Sequence, residues 1–141
     1  MRAVAISLKI PDNTAFTAAV ALRRLNIPVE RVERSEIWFF EDEGNALIER
    51  VQADETIFNP NKHCVTLLDE AVPRSGEVWI EPFEPQTHRH PESLDSARNT
   101  LRRRAVAWRL FGPSEATLDR QSLGAAVERL LCNPAIERAV Y

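Results

Sequence analysis

Ala46-Leu47-Ile48-Glu49-Arg50-Val51, followed by Asn59-Pro60 and an apolar run, decides how this chain is read, because it is stated twice. The second statement is Ala125-Ala126-Val127-Glu128-Arg129-Leu130, followed by Asn133-Pro134 and the apolar tail. Each copy reads as an amphipathic helix, a proline stop and a final strand. A repeated supersecondary unit predicts architecture without help from any catalytic motif.

Upstream of the first copy, Val4, Ile6, Leu8 and Ile10 alternate with smaller or polar residues, which predicts a strand with one buried face, ended by Pro11. Asp12 or Asn13 is placed to cap a helix whose stripe is Ala15, Ala18, Ala19, Leu22 and Leu25. Val29 to Arg34 alternates as an exposed strand, Ser35-Glu36 reads as a tight turn, and Ile37-Trp38-Phe39-Phe40 reads as a further strand. A turn at Asp42 to Gly44, a short helix over 45–54 and a strand over His63 to Leu68 complete the first half. The order β-α-β-β-α-β is that of the ferredoxin-like split βαβ unit. The expected class is therefore α+β, with antiparallel sheets and helices on one face. A unit of ~70 residues is small, so its open sheet face needs cover.

Downstream, Ala71 to Gly76 reads as a linker and Glu77 to Glu81 as a strand around Val78 and Ile80. Pro82 to Pro91 is a loop. Leu94, Ala97 and Leu101 predict a helix that Arg102-Arg103-Arg104 closes. Val106, Trp108 and Leu110 form a strand, and Gly112-Pro113-Ser114 a turn. Leu123, Ala126, Val127 and Leu130 make an apolar helical stripe assigned to the core, and Ile136, Arg138 and Val140 the last strand. No clear strand stands between Phe111 and Leu118. These elements divide the chain into a ferredoxin-like module over 1–74 and a second, degenerate one over 75–141. This is a tandem duplication whose sheets are expected to pack face to face, within the chain or between chains. A single module with a helical extension is the rival reading.

The 141 residues carry a formal net charge of -3, so nothing draws the chain globally towards nucleic acid or an anionic membrane. No stretch approaches the ~20 apolar residues of a membrane span. The start of the chain is too short and polar for a signal peptide. Two cysteines, Cys64 and Cys132, build no disulfide framework, and a cytoplasmic setting is expected.

Few constellations carry chemistry. His88 and His90, with Glu84, Glu92 and Asp95 nearby, have side chains that bind zinc elsewhere, but they lack a third ligand at defined spacing and read first as a solvated loop. His63 and Cys64 are adjacent on a strand and point to opposite faces, so they form no nucleophile–base pair; Cys64 and Cys132 read as buried. Arg102, Arg103 and Arg104, with Arg98 and Arg109, make the one basic cluster, a candidate contact for a phosphate or an acidic partner, set against a solvated helix end. Of Trp38, Phe39 and Phe40, at least one ring falls on the face opposite the helices, where burial against a second sheet is expected. Glycine-rich phosphate loops and hydrolase elbows are absent from the sequence. No catalytic residue and no cofactor are expected.

The run Val127-Glu128-Arg129-Leu130-Leu131-Cys132-Asn133-Pro134-Ala135-Ile136-Glu137 resembles the ending of PurS, with its Lys-Leu-Leu-Ala-Asn-Pro-Val-Ile-Glu pattern. Ser7-Leu8-Lys9, closing a strand ahead of an alanine- and leucine-rich helix, is similar as well. PurS is the small subunit of phosphoribosylformylglycinamidine synthase. Ile10 to Phe16 departs from its Gly-Val-Leu-Asp-Pro-Gln-Gly segment, and Glu33 to Ile37 from its Arg-x-Gly-Lys. The resemblance implies a duplicated or fused PurS-like fold and a non-catalytic accessory role in purine biosynthesis. Its implied partners are the large synthetase subunit and the glutaminase, which supplies ammonia for an ATP-dependent amidation. It also implies a homo-oligomer, with the catalytic cysteine and nucleotide site on the other subunits. Two other readings stand beside it. One is a small-molecule-binding regulatory module, with its effector at a sheet edge or between paired modules. The other is a metal-dependent enzyme built around His88 and His90.

Overall fold

Alternation in the first strand sets the plan of the molecule. In β1 (Arg2–Leu8), Val4 and Ile6 are buried on one face and Ala3 on the other. The computed structural model describes residues 1–42, 44–84 and 97–141. After β1 come α1 (Asn13–Arg24), β2 (Arg31–Phe40), α2 (Leu47–Ala53) and β3 (His63–Leu67). Then follow β4 (Glu77–Pro82), β5 (Leu101–Phe111), α3 (Arg120–Ala126) and β6 (Glu137–Val140). The class is α+β: a six-stranded antiparallel sheet in the order β3-β1-β2-β5-β4-β6, compatible with a ferredoxin-like split βαβ arrangement.

Both halves use one local topology. β1 lies between β2 and β3, and β4 lies between β5 and β6. The strand ends match in detail. The Lys9 amide donates to the Lys62 carbonyl at 2.8 Å, and the Phe83 amide to the Ile136 carbonyl at 3.0 Å. The Asn-Pro turns match too. Asn59 Oδ1 accepts the Asn61 amide and Asn133 Oδ1 accepts the Ala135 amide, each an Asx turn. The Asn59 amide donates to His63 Nδ1 at 2.9 Å, and the Asn133 amide donates to Glu137 Oε1 at 3.0 Å.

The halves do not stack. They join edge to edge through β2 and β5, so the expected face-to-face packing within the chain is replaced by one continuous sheet. β2 makes this possible because Ser35-Glu36, expected as a turn, lies mid-strand, where Ser35 pairs with Ala107 and Glu36 with Val106. Ten residues therefore run unbroken where two short strands were expected. The strands expected over Val29 to Arg34 and Ile37 to Phe40 merge into one, so the first half holds three strands where four were expected.

α1, α2 and α3 sit on one face, and among the described residues no α-helix packs on the other. Val4, Ile6, Trp38 and Phe40 meet Leu47 and Val51 of α2, closed by Ala97 and Leu101. Val78, Ile80 and Leu110 meet Leu22 of α1 and Leu123 and Ala126 of α3. Asp12 caps α1 by accepting the Ala15 amide at 3.1 Å, and Asp119 caps α3 by accepting the Ser122 amide at 2.7 Å. The opposite face carries its own cluster: Ala3, Ile37, Phe39, Trp79, Ala105 and Ala107. Leu68 packs on that cluster, so the stretch from Leu68 to Gly76 crosses the helix-free face on its way from β3 to β4. Gly76 ends the crossing at φ 72°, where a Cβ would lie 2.5 Å from Thr117.

Two helical expectations change. Ala97–Thr100 is a single 3-10 turn, and Leu101 to Arg104 are strand, not the close of a helix. The last helix turns π over Val127–Leu131, where the Cys132 amide donates to the Val127 carbonyl five residues back. A π turn adds a residue per turn and rotates the stripe by one position. Leu131 is consequently buried at 9% exposure, while Leu130, assigned to the core from the 3.6-residue period, is 43% exposed. No described helix is long and apolar enough to cross a membrane.

Candidate functional site

β5 carries the three consecutive arginines, and the pleat of the strand separates them. Arg104 faces Trp38 and Arg103 faces Phe39 across the β2–β5 pair, while Phe40 pairs with Leu101 and leaves Arg102 as the bulge residue. Each guanidinium has an acidic neighbour. Arg102 Nε donates to Glu41 at 3.0 Å. Arg103 Nε lies 3.2 Å from Glu81 Oε2 in an ionic contact without hydrogen-bond alignment, and Arg138 Nε donates to the same carboxylate at 2.8 Å. Arg104 donates to Glu36 at 3.4 Å. Arg103 lies 4.1 Å above the Phe39 ring and Arg104 4.1 Å above that of Trp38. These side chains cover aromatic rings and satisfy carboxylates. The candidate anion cluster is thus divided between two faces and largely neutralised.

Arg98 shares the Trp38 ring with Arg104, its guanidinium 5.2 Å from the ring centroid. It donates to the Thr56 hydroxyl and carbonyl, and burial lowers its pKa. Arg109 donates to the Ser75 carbonyl at 3.1 Å.

A concavity on the helix-bearing face opens where the halves meet. Its volume is about 570 Å³. Among the described residues, Ile80 and Val106 line it in the apolar part, Glu36 and Arg104 in the charged part, and Phe83 and Ile136 at the lip. Trp38 Nε1 donates to Glu36 Oε2 at 3.2 Å, so Glu36 ties the buried indole to Arg104. Glu84 and Glu137 add negative charge at the same opening. Phe83 is 54% and Ile136 61% exposed. At the matching strand end of the first half stand Lys9 and Lys62, the only lysines of the chain, and Lys9 Nζ caps the Pro60 carbonyl at 2.9 Å. The same backbone pairing is therefore dressed with charge at one end and with exposed apolar surface at the other.

Other expected residues are placed as follows. His88 and His90, with Glu92 and Asp95, lie outside the described residues. Among the described residues, no three His, Cys, Asp or Glu side chains cluster as a metal-ligand set. His63 accepts a backbone hydrogen bond, and Cys64, expected to be buried, is exposed because it faces away from the helices on edge strand β3. Cys132 is half-buried, and desolvation followed by the nearby Glu137 carboxylate pushes its thiol up, away from nucleophilic character. Trp38, Phe39 and Phe40 are all buried, Phe39 edge-to-face with Trp79 at 5.5 Å on the helix-free face and not against a second sheet.

Sequence reasoning missed the apolar lip, because Phe83 and Ile136 are far apart in the chain and meet only through the β4–β6 pair. The signal available was the confinement of lysine to Lys9 and Lys62. Compared with family models and with curated proteins, the sequence matches none.

Proposed function

We propose that this chain is a cytoplasmic, non-catalytic accessory subunit of PurS type, which supports assembly of a glutamine-dependent phosphoribosylformylglycinamidine synthase. One observation carries the reading. The Asn133-Pro134-Ala135-Ile136-Glu137 segment on which the resemblance rests forms the same turn, with the same hydrogen bonds, as Asn59-Pro60 in the other half. A tandem of PurS-like units in one polypeptide accounts for that correspondence. The apolar lip of Phe83 and Ile136, rimmed by Glu84 and Glu137, is the surface that docks the large synthetase subunit.

Co-expression with the large synthetase and glutaminase subunits of the same genome tests this. The wild-type chain is expected to co-elute with the large subunit. The double variant Phe83→Lys/Ile136→Lys, which copies the first half's side chains, is expected to elute alone with an unchanged melting temperature. A wild-type chain that folds but never co-elutes with either subunit ends the reading. Co-elution that survives the double variant moves the docking surface elsewhere.

A further inference from the structure

The two halves treat one position on the helix-free face differently. Ala5 and Trp79 each stand four residues before the amide, Lys9 or Phe83, that bonds across to the Asn-Pro turn. Ala5 pairs with Thr66, and Trp79 pairs with Val140. In the second half the indole fills the space. Trp79 is 2% exposed, packs on Phe39 and donates Nε1–H to Glu77 Oε1 at 2.9 Å. In the first half nothing of that size stands on β1. Instead a cavity of about 470 Å³ lies over Ala5, Ser35 and Ile37, beneath the Leu68–Pro73 crossing and with the buried carboxylate of Glu77 on its wall. That volume lies within the usual range of small-molecule sites. A smaller space of about 190 Å³ shares Ala5, Ser35, Glu77 and Arg74 with it and is lined further by Glu33, Arg34 and Arg109.

We propose that this cavity binds a flat heteroaromatic acid, its ring lying over Ala5 where the other half carries its own indole. The apolar floor of Ala5 and Ile37 and the roof of Leu68 and Pro73 suit an aromatic body. Ser35, Thr66 and Glu77 supply acceptors for a ring N–H. Glu77 already receives Trp79 and Arg74, and a carboxylate accepts about four hydrogen bonds. Arg74, which lines both spaces, and Arg109, which lines the smaller one, supply the cations for the acid group of the ligand. The roof is a connecting segment outside regular structure, the kind of element that yields to admit a ligand. This site is on the opposite face from the Phe83–Ile136 lip and does not depend on any protein partner.

Indole-3-acetate and indole are the probes, titrated into the full chain by calorimetry and followed by melting temperature. The wild type is expected to bind indole-3-acetate saturably, with a melting temperature that climbs with concentration. Ala5→Trp, which installs the second half's side chain, is expected to abolish binding while keeping the fold. Should Ala5→Trp fail to fold, Thr66→Trp on the exposed edge strand covers the same opening. Arg74→Ala is expected to weaken indole-3-acetate roughly tenfold and leave indole unaffected. Absence of saturable binding at millimolar probe overturns the proposal. So does binding unchanged in the cavity-filling variant that folds, or equal loss of both probes in Arg74→Ala.

Discussion

The Lys9–Lys62 end and the Phe83–Ile136 end of the sheet are the same structure with opposite surfaces. Backbone geometry is common to both: an amide-to-carbonyl bond across the strand ends and an asparagine side chain closing the turn. Those features come from Asn-Pro and from strand register, which depend little on what the intervening side chains present to water. Side chains at the tips are therefore free to diverge, and they have: ammonium groups at one end, a phenyl ring and a branched alkyl chain at the other. The same freedom operates on the helix-free face, where Ala5 and Trp79 answer each other. Backbone likeness marks what the fold requires, and side-chain unlikeness marks where the halves serve different ends.

The largest effect expected from testing this comparison is at Trp79. Removing its indole leaves the second half with a void like that above Ala5, but in a site packed for a ring. Trp79→Ala is expected to cost about 3–5 kcal/mol in chemical denaturation. The reciprocal site already tolerates alanine, because its neighbours Ser35 and Thr66 are small and polar. A loss below about 1 kcal/mol would mean that Phe39 and Arg103 collapse into the space, and the two sites would then be alike.

A smaller effect separates the two terminal helices. α2 stays α-helical and buries Leu47 and Val51, whereas the helix begun by α3 ends in a π turn that buries Leu131 and turns Leu130 outward. Leu131→Ala is expected to cost about 2–4 kcal/mol and Leu130→Ala less than about 1 kcal/mol. The reverse order would restore the regular period and with it the literal sequence repeat between Val51 and Leu130.

That pair also marks the limit of what the chain discloses before it folds. Period-two alternation located β1, β4 and β6, and a cap at Asp12 or Asn13 with its alanine stripe located α1, because these signals are local. The Asn-Pro repeat located the matching turns for the same reason. A π turn has no local signature, so a 3.6-residue count chose the wrong leucine. Ser35-Glu36 looks like a turn by composition, and pairing with residues 106 and 107 of β5, and of Glu36 with Ile6 of β1, holds it extended. Arg102-Arg103-Arg104 looks like a helix end, and only the Trp38 and Phe39 rings and the Glu36, Glu41 and Glu81 carboxylates make it strand. Both surprises lie on the one strand pair that joins the halves, where non-local contacts outweigh propensity. The candidate surfaces were less legible still, since the lip and the cavity each need strands brought together from across the chain.

The gentlest way to sharpen the comparison is to remove the feature that the two ends share. Asn59→Ala and Asn133→Ala each delete one exposed side-chain acceptor, for Asn61 and Ala135 respectively. Each is expected to cost about 0.5–1.5 kcal/mol by thermal denaturation. Because the two asparagines are far apart in the sheet and share no partner, the double variant is expected to lose the sum of the single losses. If backbone requirement and surface function are separable as argued, Asn133→Ala lowers stability without the loss of partner binding expected of Phe83→Lys/Ile136→Lys. A clearly larger loss at Asn133 would mean that this turn also holds the apolar lip in place, and the two ends would then differ in backbone role as well as in side chain.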